Sequence, residues 1–186
     1  MEHYRFHEGS LPEGYQLDFE ESLFNKQGQR LLQSNSGWCS FYILHSRLKK
    51  ARAAIHFHLS DGVARSPLKS PFGSIDFAEA IPSLVLFDFF AYVEIRLGSK
   101  DIKRIIIKNY PQVYHDNQAS MVASFLINQN YRPSAEVGSF LEVTSSSAIA
   151  GFNFSVRYKF QKARKAGVAL EQMPTPDARI VYEFIR

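Results

Sequence analysis

With one cysteine, Cys39, in 186 residues, the chain has no means of closing an internal disulfide. A hydrophobic content of 45% makes one unnecessary, because that apolar fraction over that length can build a core on its own. Cys39 sits in "WCSFYIL" and reads as a core thiol rather than a nucleophile. No apolar run approaches the ~20 residues of a membrane span. The opening "MEHYRFHEGS" has neither the basic nor the apolar stretch of a signal peptide, which predicts a cytoplasmic protein. Glycine is also scarce where nucleotide chemistry would need it. "SPLKSPFGSIDF", Ser66 to Phe77, offers Gly73 alone, whereas a phosphate cradle needs several glycines directly before a helix, so dinucleotide and Walker sites are excluded. The "SSS" of Ser145 to Ser147 has no partnered histidine, and no internal repeat is present.

What the chain does have is aromatic bulk, sixteen Phe and nine Tyr, and a modest net charge of +4. Two acid-free stretches concentrate the basic residues: Arg47, Lys49, Lys50 and Arg52, and then Arg157, Lys159, Lys162, Arg164 and Lys165. Such runs attract phosphates or simply face water; solvated faces are the commoner outcome.

From Trp38 the pattern is extended. "WCSFYILHS" is β-branched and aromatic, and "ARAAIHFHLSDG" alternates Ala53, Ile55, Phe57 and Leu59 with Arg52, Ala54, His56 and His58. Asp61-Gly62 predicts a tight hairpin turn. The returning strand, Val63 to Phe77, contains Pro67 and Pro71 and must leave the ladder around them. Leu86, Phe89, Phe90, Val93 and Leu97 then repeat at helical spacing, between Pro82 and Gly98. Lys103 to Pro111 predicts a short buried strand, "NQASMVASFLINQNY" a helix, and Ser134 to Val143 a further strand. After a loop over 144–151 come a basic helix stopped by Gly167 and a last helix from Asp177. His56 and His58, with His45 on the next strand, have a metal-compatible spacing but no completing ligand, so no metal is expected. Asp88 and Glu94 read as solvent-facing charges on the long helix.

The hairpin ending in "SPFGSIDF", the long helix, the strand "RIIIKNYP", the helix ending "FLINQNYRP" and the strand "VGSFLEV" together resemble the acyl-CoA N-acyltransferase (GNAT) fold. The closest likeness is to the first domain of the bacterial FemAB-like aminoacyltransferases. "VRYKFQKARKAGVAL" followed by "DARIVYEFI" is similar to that family's connector into a second copy of the fold. The resemblance implies an α/β domain over 1–143, with a mixed, mostly antiparallel sheet and helices on both faces, and a linker and helical tail over 144–186. It implies N-acyl transfer to an amine acceptor, or the substrate-recognition half of such an enzyme, with acyl-CoA or aminoacyl-tRNA as donor. A cleft beside the bent strand would bind the acceptor through Ser66, Phe72, Gly73 and Ser74, with Arg65 or Lys69 holding an anionic group. Ala78 to Ser83, where coenzyme-binding members carry glycines, has none. No cofactor is therefore evident, and a non-catalytic binding module is the alternative. The apolar residues of 152–186 predict a homodimer through the tail.

Overall fold

The structure is a computed structural model and describes residues 3–114, 116–136 and 153–169. The chain divides into two compact units, 1–134 and 135–186, where the sequence suggested a boundary at 143/144. The first unit is a mixed α/β domain. Its strands are β1 (Tyr4–Glu8), β2 (Gln16–Leu17), β3 (Trp38–His45), β4 (Lys50–Ser60), β5 (Val63–Ser66), β6 (Asp76–Phe77) and β7 (Arg104–Ile107). Its helices are α1 (Gln27–Gln33), α2 (Ser83–Gly98) and α3 (Asp116–Asn128), with a 3-10 turn at Leu23–Asn25. No described helix is long and apolar enough to cross a membrane.

The strands lie in the order β1-β3-β4-β5-β7, antiparallel until β5 pairs in parallel with β7. The β4–β5 hairpin turns at Asp61 and Gly62, both at positive φ (52° and 71°), as the Asp-Gly pair predicts. Beyond Ser66 the chain leaves the ladder and returns only at Asp76, so the two prolines do interrupt the third core strand. One edge of β4 is paired with β3 from Lys50 to His58. The other is shared between β2 at Lys50 and Ala51, β6 at Ala53 and Ala54, and β5 from His58 to Ser60. Ile55, His56 and Phe57 have no strand beside them on that edge among the described residues.

The alternation of β4 decides the two faces. Ala53, Ile55 and Phe57 point toward α2 and α3, where Leu86, Phe89, Phe90, Val93, Val122 and Leu126 complete the main core. Tyr42, Leu44, Ala51 and Ala54 point the other way and are covered by Leu11, Tyr15, Leu17 and Phe19 of the N-terminal segment. Everything before Trp38 escapes the sequence pattern, β1 included, because "YRFHE" is a short, half-exposed edge strand with no clean alternation. The segment Lys103 to Pro111 supplies a shorter strand than expected, half-buried because β7 is the sheet edge. Of the expected strand Ser134 to Val143, residues 134–136 carry no regular structure and 137–143 lie outside the described residues, as do the 144–151 loop and the last helix.

In the second unit α4 (Phe154–Lys165) forms as its basic stretch predicts, with Gly167 at φ 79° ending it. Asn153 caps it, its Oδ1 accepting from the Val156 amide at 3.0 Å. Asn153→Ala should cost about 1 kcal/mol of helix stability and speed amide exchange at Val156 roughly fivefold. An unchanged exchange rate would show that the cap does not hold the helix.

Candidate functional site

The unpaired stretch of β4 places His56 in the middle of the sheet with its side chain 1% exposed. Its ring is held from both edges. Arg30 Nη1 of α1 and Ser40 Oγ of β3 each lie 2.8 Å from Nδ1. A guanidinium can only donate, so Nδ1 accepts and the imidazole proton sits on Nε2. Nε2 is 3.4 Å from Glu21 Oε1, long for a hydrogen bond. Burial holds the His56 imidazole below its ordinary value of 6.5, against the opposing pull of Glu21. The sign follows from which state binds the proton. The unfolded chain protonates His56 near 6.5 while the folded chain resists, so this contribution to stability is complete above that pH and lost as pH falls below it. His58, also held low by burial, acts in the same direction. Urea midpoints should therefore fall from pH 7.5 to pH 5; equal midpoints would mean that His56 ionises freely in the folded protein.

Glu21 leads into a cleft of about 890 Å³ where the chain has left the ladder. Its floor is Asp76, 9% exposed. Asp76 Oδ2 accepts from the Ser22 amide and from Asn25 Nδ2, both at 2.9 Å, and Oδ1 accepts from Tyr110 Oη at 2.6 Å. Burial, and then the Asp76 charge, push the Tyr110 phenol far above its ordinary value, so it remains a donor. Its walls are aromatic. Phe72 stands edge-on to Phe24 and Tyr110 at 5.0 and 5.4 Å between centroids, and 5.5 Å from Tyr114. Five carboxylates line the cleft, those of Asp18, Glu20, Glu21, Asp76 and Glu79, against one cationic side chain, Lys26. Of the five, Asp18 is paired with Arg52 and Glu20 lies 3.9 Å from Lys26, so the excess negative charge rests on Glu21, Asp76 and Glu79.

Of the residues expected to bind substrate, Phe72 alone lines this cleft. Ser66, Gly73 and Ser74 are buried in the turn that shapes it: the Ser74 amide bonds to Ser66 Oγ at 3.3 Å, and the Ser74 carbonyl accepts from Asn25. Arg65 lies on β5 with Nη1 3.3 Å from Ser60 Oγ, and the exposed Lys69 bonds through its amide to Gln33; neither lines the cleft. The sequence reading missed Glu21, Asn25 and Tyr110, which come from segments it left unassigned or read only as strand. His45 cannot join His56 and His58, because in the β3–β4 register it sits opposite Lys50 while Ser40 faces His56. Among the described residues no group of side chains could hold a metal ion. Cys39 is a half-buried free thiol packed against the core, pushed up to about 11 by burial and by Glu8. Glu94 corrects the expectation of a solvent-facing charge: it is partly buried, which raises its carboxyl against a hydrogen bond from Tyr131.

Comparison with protein-family models, with curated proteins and with solved structures found no match to the chain.

Proposed function

We propose that the protein is an N-acyltransferase of GNAT-like fold, or the acceptor-binding half of one, and that it holds an amine in the acidic, aromatic-walled cleft. The observation that carries the reading is the position of the cleft. Along the main strand order, antiparallel strands lead to the parallel pair of β5 and β7, joined across α2, and the carboxylates gather where the chain departs from that pair. An alkylammonium there meets negative charge and aromatic faces, both of which favour a cation. In the reaction the acceptor first loses a proton, which we assign to Glu21, backed by His56. The amine nitrogen then attacks the carbonyl of a thioester or aminoacyl ester. A C–N bond forms, the C–S or C–O bond breaks, and the thiol or hydroxyl leaves with a proton. Mass spectrometry of the protein with an acyl-CoA and 1,4-diaminobutane should reveal an N-acylated diamine, and Glu21→Gln should slow its appearance at least tenfold. Absence of product with every acyl thioester and aminoacyl ester supplied would overturn the catalytic reading.

A second reading, a non-catalytic amine-binding module, is favoured by the loop before α2. Pro82 occupies the N-cap and has no N–H, the loop has no glycine, and the exposed Glu79 repels phosphate. Calorimetry should accordingly show no micromolar binding of acetyl-CoA; micromolar binding would remove the ground for this reading. The homodimer through 152–186 belongs to the same proposal. Phe154, Tyr158 and Phe160 of α4 are exposed, and light scattering should show a dimer that is lost on deleting that segment, a strictly monomeric full chain being the contrary result.

A further inference from the structure

We propose that a second cleft, between α1 and the start of β3, is a binding site for a small organic carboxylate, which it takes on the free edge of Arg30. This goes beyond the acceptor reading and does not depend on it. The cleft, about 800 Å³, is lined by Arg30, Asn35, Ser36, Trp38 and Tyr42, among others, and is rich in hydrogen-bond donors. Its one carboxylate, Glu8, is already engaged: Arg96 Nε lies 2.6 Å from it and Lys100 Nζ 2.8 Å. Arg30 is therefore the cation of the cleft without a carboxylate beside it. Its Nη1 is spent on Ser40 and His56. Its Nε is buried and has no hydrogen-bond partner. A buried donor left unmade is costly, and Arg30, whose side chain lines the cleft, would satisfy it by turning this edge to an acceptor there. The chemical match is specific, because the Nε edge of a guanidinium presents two parallel N–H groups at the spacing of carboxylate oxygens. The negative charge nearest Arg30 is Glu21, which lies on the far edge of His56 and opens into the other cleft. The two clefts are thus opposite in sign and separated by one imidazole. Burial already disfavours the charged form of Arg30, so a counter-ion arriving here meets an undercompensated cation.

Trp38 is the chain's one tryptophan and lines this cleft, so its fluorescence reports occupancy without labelling. Benzoate is the probe, with methyl benzoate as the same ring without charge and inorganic phosphate as the competing anion class. Saturable quenching or shift of Trp38 emission by benzoate is expected, at least tenfold weaker with methyl benzoate and with phosphate, and at least tenfold weaker in Arg30→Gln. Arg30→Lys, which keeps the charge but not the fork, should weaken benzoate as well. Since Arg30 also holds His56, a variant that fails to fold is replaced by a measurement on the unaltered chain: benzoate should move the Arg30 Nε–H resonance in a nitrogen-15 spectrum. A flat Trp38 titration, equal binding of methyl benzoate, tighter binding of phosphate, or an unmoved Nε–H resonance at saturating benzoate would each overturn the site.

Discussion

Asp76→Ala is expected to lower the free energy of unfolding by about 3 kcal/mol, because the carboxylate is the common acceptor for three donors that have grown together around it. The Ser22 amide, Asn25 Nδ2 and Tyr110 Oη all bond to it, and all three come from segments distant in the chain. Alanine leaves them facing an apolar side chain, with relief only from water entering the cleft. Asp76→Asn keeps the size and one acceptor oxygen but turns an NH₂ toward donors, so it should fall between the two. Urea denaturation of the three proteins checks the order. A loss below about 1 kcal/mol for alanine would mean that water replaces the carboxylate freely and that the cleft floor is not preorganised. The same substitution removes charge from the cleft, so amine binding should weaken in whatever fraction remains folded.

Gly73→Ala should cost about 2 kcal/mol, by overpacking rather than by lost contacts. A Cβ on Gly73 would stand 2.8 Å from both Cδ and N of Pro67 and 3.1 Å from the Ser66 carbonyl carbon. These are ring and backbone atoms, which cannot swing aside as the end of a long side chain can. Gly73 also donates its amide to the Lys108 carbonyl at 2.9 Å, tying the turn to the chain beyond β7. The displaced turn carries Phe72 and leads to Asp76, so this variant should also broaden the cleft-wall resonances of Phe24 and Tyr110. A fully stable alanine variant would show that the turn has room the structure does not give it.

Much of the scaffold was legible because each signal had one mechanical meaning. Asp61-Gly62 could only turn, Pro67 and Pro71 could not donate to a ladder, and Pro82 and Gly98 bracketed a spacing of apolar residues that fits a helix. The cleft was less legible for a physical reason. Its floor depends on hydrogen bonds that span 34 to 88 residues of chain, such as Tyr110 to Asp76 and Ser22 to Tyr110, and no local periodicity encodes them. The bent strand did announce a cleft. Its residues read as binding groups in the sequence, whereas Ser66, Gly73 and Ser74 are turned inward and Phe72 alone reaches the wall. His56 looked like one of a histidine pair; only the register, which puts Ser40 opposite it, and the packing of α1, which brings Arg30, show it to be a buried neutral imidazole. The carboxylates stand in two short stretches, Asp18, Glu20 and Glu21 in one and Asp76 and Glu79 in the other, and only folding brings the two together.

The decisive property of the acidic cleft is whether a cation enters it. In an amide-resolved NMR titration with 1,4-diaminobutane at low salt, saturable shifts are expected, centred on Ser22, Phe72, Asp76 and Tyr110 and weakened by Glu21→Gln and by added salt. Shifts of equal size with the neutral 1,4-butanediol, or none in that group of residues at saturating diamine, would contradict cation entry.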